Sequence, residues 1–512
     1  MAARCRRTCS TDGVLFRGLT ALLAVLLMLP ARAAESFDIG LAADGRRIDA
    51  FAISATADGA RSVVLVGGLS GEDASSDRVR AALTTYEAQG ERPFHLVAVP
   101  VVNPAASTLR FPPDGVAYAD LPESHALWRW LGSHAPDLVL VAGSSPAAEQ
   151  LVTALQSAPA ALLGTIPARH WEPTLTWARS LGRIPASPAA LEKQRRLARS
   201  PRQLATELAQ HYGRNFDQPW YIGAIALVAR IHLGELDAVR ALVEPWVDGS
   251  KDSLARPNAL VMAGHIVFTE LARRTGDARY TALVRRVADM GFDPDGQPLE
   301  AMPLHDGYSD SVFMGTTIVA QAGALSGEPR YFEMADRHLR FMQELDLRPD
   351  GLYRHRPGAD VPWSRGNGFA AIGLALTLPE LPRDSAAYRH ALDSYRALMR
   401  TLLPWQNRDG LWRNVVNYPG AFAEFSGTAM IGFAMRRGLE RGWLEGAEYE
   451  RAVQRAWQAV NARAGSDGQL IDVCDSTARL TTLQEYLQRP ALLGRDDRGG
   501  AMALLFATEL MD

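Results

Sequence analysis

The sequence is short of cysteine, of surplus charge and of long apolar runs, and each shortage excludes something. Only three of 512 residues are cysteine, and Cys5 and Cys9 lie among the first 34. Cys474 stands alone in the remainder, so neither an intramolecular disulfide nor a cysteine-rich metal site can form there. Lys and Arg number 54 against 57 Asp and Glu, a formal charge of −3. That balance supplies no basic footprint for nucleic acid and no acidic surplus of the kind that keeps a chain disordered. The apolar run at 19–29 (LTALLAVLLML) is well short of the roughly 20 residues that span a bilayer. It follows Arg4, Arg6 and Arg7 and precedes Ala31-Arg32-Ala33. Residues 1–34 therefore read as a secretory signal peptide, cleaved after Ala33 or Ala34. The expectation is an exported protein, periplasmic or extracellular, with no membrane segment after cleavage.

What is present is an ordinary globular chain. Hydrophobic residues make up 47% and charged residues 22%, a balance that can bury a sizeable core. Its length predicts two domains, because one helical barrel can absorb about 300 residues. Residues 35–175 alternate β-branched runs, 62–69 (SVVLVGGL), 95–102 (HLVAVPVV) and 137–143 (DLVLVAG), with helical spacing at 74–89 and 123–134. That rhythm predicts an α/β domain with a mostly parallel sheet. Residues 176–205 are basic and spotted with Ala and Pro, and read as a linker, part of it helical. From 206 to 512 the strand signals disappear and helical windows follow one another. Between helix pairs an Asp-Gly turn recurs at Asp295-Gly296, Asp350-Gly351, Asp409-Gly410 and Asp467-Gly468. A spacing of 55 to 59 residues suits two helices of about 15 residues with their loops. Helical hairpins repeated in this way predict an all-α (α/α)6 barrel of twelve helices. An open helical solenoid is the alternative, less favoured because the loops are long and rich in Trp, His and Arg.

Three loop-to-helix junctions of that repeat carry polar and aromatic residues in unusual density. The first, His305 to Met314, places Asp310 just before an apolar helix, where an N-cap role is the plain structural alternative. The second runs from Tyr353-Arg354-His355 to Trp363-Ser364-Arg365-Gly366-Asn367-Gly368. A pocket that stacks a sugar ring on Trp363 and holds a carboxylate on Arg365 asks for such a mixture. A Trp–Arg stack pinning a loop is the structural alternative. The third, Trp412-Arg413-Asn414 with Glu424-Phe425-Ser426-Gly427, extends the same rim, or else supplies Glu424 as a helix-start charge.

With these junctions, Gly264-His265 running on to Gly276-Asp277, and Ser309-Asp310-Ser311-Val312-Phe313-Met314, the stretch 256–463 resembles the unsaturated glucuronyl and rhamnogalacturonyl hydrolases, glycoside hydrolase families 88 and 105. The resemblance implies an (α/α)6 barrel and a cofactor-free, metal-free reaction on oligosaccharides that end in a 4,5-unsaturated uronic acid. Its C4=C5 vinyl ether is hydrated, and the resulting hemiketal collapses to release the next sugar. By the same resemblance Asp310 is the catalytic acid, which must be protonated at rest. Arg365 would hold the substrate carboxylate, Trp363 would stack on the ring, and His355 and Asn367 would bind its hydroxyls. Trp412 and Glu424 are further candidates for substrate contact. One departure stands out: a second aspartate usual in the family, just before the segment matching Gly264-His265, is absent. Asn258 is the nearest polar residue, and Asp252 lies upstream.

Residues 62–143 resemble a zinc carboxypeptidase core, with Ser70 and Asp73 where metal ligands would stand, which implies a degenerate, non-catalytic domain. Two other readings remain open. One is an inverting glycosidase on the same barrel, which needs a second carboxylate such as Asp306 or Glu424 opposite Asp310. The other is a non-catalytic glycan-binding protein.

Overall fold

The computed structural model describes residues 34–172 and 176–511; apart from Ala34, the stretch read as a signal peptide lies outside them. Among the described residues six strands form one sheet in the order β1-β2-β4-β3-β5-β6. β3 (Arg61–Val66), β4 (Phe94–Val99), β5 (Leu138–Ala142) and β6 (Ala168–Trp171) pair in parallel. β1 (Glu35–Leu41) and β2 (Arg47–Ile53) form an antiparallel hairpin, joined antiparallel to β4. Val64 and Val66 point to one face, under α2 (Pro122–His134) and α3 (Pro146–Ser157). Val63 and Leu65 point to the other, under α1 (Ala74–Glu87). A strand buried on both faces has no polar positions to alternate, hence the unbroken apolar run. β1 and β2 carry Asp38, Arg47 and Asp49 on a half-exposed edge, and that is why the apolar pattern does not mark them.

After α4 (Trp177–Ser180), the stretch read as a linker folds into α5 (Pro188–Leu197) and the start of α6 (Pro201–Ala209). It is tied down: Arg196 donates to the Ala462 carbonyl, and Arg199 to the carbonyls of Asn461 and Ala464. From α6 onward, outer and inner helices alternate. α7 (Tyr221–His232) is inner and α8 (Leu236–Val247) outer; α9 (Ala259–Gly264) with α10 (Ile266–Thr275) is inner and α11 (Ala278–Ala288) outer. A single π-helical turn, Val312–Thr317, runs into inner α12 (Ile318–Ser326), followed by outer α13 (Pro329–Asp346). Inner α14 (Ser364–Thr377), outer α15 (Ala386–Leu402), inner α16 (Phe425–Glu440), outer α17 (Ala447–Arg463) and inner α19 (Asp497–Glu509) complete the series, with short α18 (Leu483–Leu487) in the last connection. Each inner helix touches the next, and α19 closes on α7.

The four Asp-Gly turns do the same job four times. Each follows an outer helix, and each glycine has φ between 80° and 89°, a left-handed backbone that Gly adopts without a Cβ clash. The turn closes with an N–H to the carbonyl three residues back, as from Gly296 to Asp293 and from Gly410 to Asn407. These turns carry the chain back to the mouth of the ring where the next inner helix starts. Four short strands, not expected in this half, lie on that mouth. β7 (Trp412–Arg413) pairs with β8 (Ala423–Glu424), and β9 (Leu470–Cys474) with β10 (Ala491–Gly494). They are too short to show a period-2 pattern.

Candidate active site

Asp310 occupies the turn that feeds the π-helical stretch. Its carbonyl accepts the N–H groups of Phe313 and Met314, each at 3.0 Å, so the backbone is consumed by the helix start and the carboxyl is left to project. The neighbouring Ser309 N–H donates to the His355 carbonyl at 3.0 Å, pinning this turn to the loop after α13. Gly366 in the first turn of α14 lets the two approach: a Cβ there would come 2.8 Å from Ser309 Oγ and 3.7 Å from Asp310 Oδ1.

The residue is 8% exposed, and its Oδ1 has no hydrogen-bond partner in the protein. Burial raises its pKa to about 7, against the opposing pull of the Arg365 and Arg489 charges. His355 Nε2 lies 3.9 Å from that oxygen, too far for a hydrogen bond, and it too is buried without a partner. The other ring nitrogen, Nδ1, shares a 2.6 Å hydrogen bond with the Tyr486 hydroxyl. Burial, with the charges of Arg489, Arg365 and Arg356, holds the His355 pKa well below its usual value, so the imidazole is neutral. A protonated carboxyl and a neutral imidazole, each with one buried uncommitted polar atom, face one another. Such atoms are costly to leave unpaired, and they constitute a site for a ligand that both donates and accepts hydrogen bonds.

The family of glycosyl hydrolase family 88 matches residues 234–512, more than half of the chain and all of the functional geometry just described. The chain belongs to that family. An unsaturated 3S-rhamnoglycuronyl hydrolase of Formosa agariphila is 35% identical over 184 residues, covering 32% of this chain and 48% of that protein. An unsaturated rhamnogalacturonyl hydrolase of Bacillus subtilis is 23% identical over 270 residues, covering 49% of this chain and 76% of that protein. The chain spans about half the length of the first curated relatives it matches, 48% and 42%. Among solved structures, a possible member of the GH105 family from Salmonella enterica superposes with a TM-score of 0.52 at 18% identity, over 61% of this chain and 94% of that one. That likeness is one of fold, the α/α toroid.

In this family 88 member Trp363, Arg365 and Asn367 lie at the start of α14 beside the Asp310 turn, but they are committed to the protein itself. Trp363 does not offer a face to a sugar. It is fully buried, with the Arg365 guanidinium 4.6 Å and the Arg489 guanidinium 4.9 Å from its ring centroid, and Nε1 donates to Asn414 Oδ1. Arg365 does not present a free fork to a carboxylate. Its Nη1 donates to the Cys474 carbonyl at 2.8 Å and to Ser426 Oγ, and its Nη2 donates to the Ser476 carbonyl. Asn367 donates to the carbonyls of Tyr353 and Trp363 and accepts the Tyr353 N–H, so both its N–H groups are committed to the backbone rather than to ring hydroxyls. Trp412 lies in the core of the ring, with Nε1 on the Leu402 carbonyl at 2.7 Å, and is not on the rim. Glu424 caps α16. Its oxygens accept the N–H groups of Ser426, Gly427 and Cys474, at 2.9, 2.5 and 3.0 Å, and it is neither a rim residue nor an opposing catalytic carboxylate. Asp306 is exposed, in a left-handed turn with φ 49°.

Asn258 caps α9 through a 3.0 Å bond from the Val261 N–H, and Asp252 pairs with Arg286 at 3.0 Å. Asp73 caps α1. Three residues at the site did not stand out in the sequence. Tyr486 and Arg489 reach it from the loop around α18, over 120 residues downstream of His355 in a stretch with no helical period. Asp346 ends α13, fully buried, with neither carboxyl oxygen partnered. Its pKa is pushed up to about 8 by burial, with Asp310 adding to the rise and Arg354 and Arg356 opposing it. A carboxylate at the end of an amphipathic helix gives no sequence signal that it points inward.

Proposed function

We propose that this enzyme removes a terminal 4,5-unsaturated uronic acid from oligosaccharides by hydrating its C4=C5 bond, with Asp310 as the acid. The observation that carries the reading is the Asp310 carboxyl, buried, uncommitted and protonated near neutral pH. An acid of that kind can protonate a vinyl ether carbon, and an ionised surface aspartate cannot. The names of the Formosa and Bacillus relatives, both unsaturated-sugar hydrolases, support the same substrate class.

In this scheme Asp310 transfers its proton to C4 and the developing cation at C5 is stabilised by the ring oxygen. Water bonds to C5 and gives up a proton, which restores Asp310; the hemiketal then opens and expels the glycosidic oxygen of the next sugar. His355 Nε2, facing Asp310 across 3.9 Å, positions the water or a ring hydroxyl. The absent second aspartate is consistent with this economy, since Asn258 is occupied as a helix cap and one carboxyl serves as both donor and acceptor. The inverting alternative needs an ionised base: Glu424 is saturated by amide donors, Asp306 is exposed, and burial pushes the Asp346 carboxyl up to about 8.

The closed sequence of inner-helix contacts and the alternation of inner with outer helices support a twelve-helix (α/α)6 barrel over 206–512. An α/β domain at 35–175 would act as a scaffold, a role supported by Asp73 serving as a cap. Export through a cleaved segment 1–34 belongs to the same proposal.

The test is loss of the ultraviolet absorbance of the conjugated uronyl group, followed on a panel of lyase-generated disaccharides with wild type and Asp310→Asn. The expected result is consumption by the wild type alone, with kcat/KM falling as pH rises through about 7 because the acid loses its proton. Binding without consumption by the wild type would make the chain a glycan-binding protein and sink the proposal.

A further inference from the structure

The inner helices run parallel, so their carboxyl ends converge on the mouth of the ring opposite Asp310. A cavity of about 720 Å³ opens there, within the range of small-molecule sites. All the inner helices line it: Val228 of α7, Thr269 of α10, Gln321 of α12, Leu376 of α14, Arg437 of α16 and Thr508 of α19. Along α14, Leu376 lies about eleven residues past Arg365, roughly 16 Å at the helical rise, so this cavity is separate from the catalytic mouth.

Two polar side chains in its wall have no partner. The Gln321 side-chain oxygen and the Thr269 hydroxyl are buried, 3% and 1% exposed by residue, and neither forms a hydrogen bond in the protein. Most of the charges around them, by contrast, are paired, and Glu440 and Arg441, which also line the cavity, offset one another in sign. Arg273 pairs with Glu380, Arg274 with Glu270 at 2.8 Å, and Arg437 with Glu509 through two 2.7 Å bonds. An anion would face glutamates and the negative ends of the helix dipoles, and a cation would face arginines that already neutralise them. Hydroxyl groups suit both, donating to Gln321 and accepting from Thr269 once the side chains that close these two atoms off from solvent shift aside, while Ile225, Ile266 and Leu505 supply an aliphatic wall for C–H faces.

We propose that this axial cavity binds a neutral saccharide of one or two rings, independently of the Asp310 site. The test is calorimetric or ligand-observed NMR titration of the full chain with D-glucose, L-rhamnose and sucrose. It compares wild type, Asp310→Asn, and the near-isosteric Gln321→Met and Thr269→Val, each checked for a native circular dichroism spectrum. The expected outcome is that at least one probe binds wild type and Asp310→Asn equally. Its affinity should fall about tenfold, the weight of one buried hydrogen bond, in whichever of the two cavity variants folds. Binding by none of the probes overturns the proposal, as does binding that survives both cavity substitutions or disappears with Asp310→Asn.

Discussion

Burial without a committed donor raises the proton affinity of two carboxyls at the catalytic mouth, Asp310 to about 7 and Asp346 to about 8. In the unfolded chain both titrate near 3.8, so between these limits the folded protein holds more protons. Their contribution to stability is therefore complete below the unfolded value and is lost as pH rises through 7 to 8. Asp346→Asn removes one of the two charges and should raise the unfolding free energy at pH 8 on the order of a few kcal/mol, with little effect at pH 4. Thermal or urea unfolding at the two pH values checks this, and equal effects at both would mean that Asp346 is ionised in the fold. The same residue scale shows where reading the sequence stops. Trp363, Arg365 and Asn367 lie near Asp310, but a guanidinium looks the same in sequence whether it holds a sugar carboxylate or the carbonyls of Cys474 and Ser476. His355 differs in that its unpaired Nε2 faces Asp310 across 3.9 Å.

At the scale of elements, Gly366 and Gly427 explain why the segments around the site are glycine-rich. A Cβ at Gly427 would lie 2.2 Å from Ser364 Oγ, so α14 and α16 touch only because that position is bare. Gly366 does the same for the Asp310 turn. Gly366→Ala should fold, since one flexible hydroxyl can shift, but it displaces the acid. A fall of about ten- to a hundredfold in kcat is expected for a displacement approaching 1 Å, measured with an unchanged melting profile. An unchanged kcat would show that the turn is not held in place by that contact. Most inner and outer helices follow the apolar period closely; the helical spacing at 330–346, 384–403 and 446–463 matches α13, α15 and α17 to within two residues. The periodicity missed α8, whose Pro245 interrupts an otherwise strong amphipathic pattern. It could not announce the π-helical turn at 312–317 either, because a segment buried on every side, Thr316 and Thr317 included, has no polar face whose period could shift.

For the whole molecule, a buried ionic triad is one of the ties between sheet and ring, beside the 2.8 Å pairing of Asp38 with Arg413. Asp472, held at φ 60°, accepts Arg129 of α2 at 2.5 Å and Arg463 of α17 at 3.1 Å. Asp472→Ala strands two arginines in a dry interface and should cost about 3–5 kcal/mol. Calorimetry is expected to show the single transition splitting into two; one undivided transition would mean that the remaining contacts, Asp38 with Arg413 and Tyr118 with Phe422, are sufficient to couple the halves. The alternation of strands and then of helices made both halves legible, but nothing in the sequence showed how they meet, since the triad joins residues 343 apart. Ile471, next to Asp472, packs within the apolar cluster of the sheet domain. That core is therefore finished by a residue near the other end of the chain. At the roughly 5–20 residues per second of synthesis, the N-terminal half waits roughly 20–70 s after α2 emerges before its last core side chain exists. Until then it must persist with an open flank, so its correct folding depends on whatever protects that surface during translation.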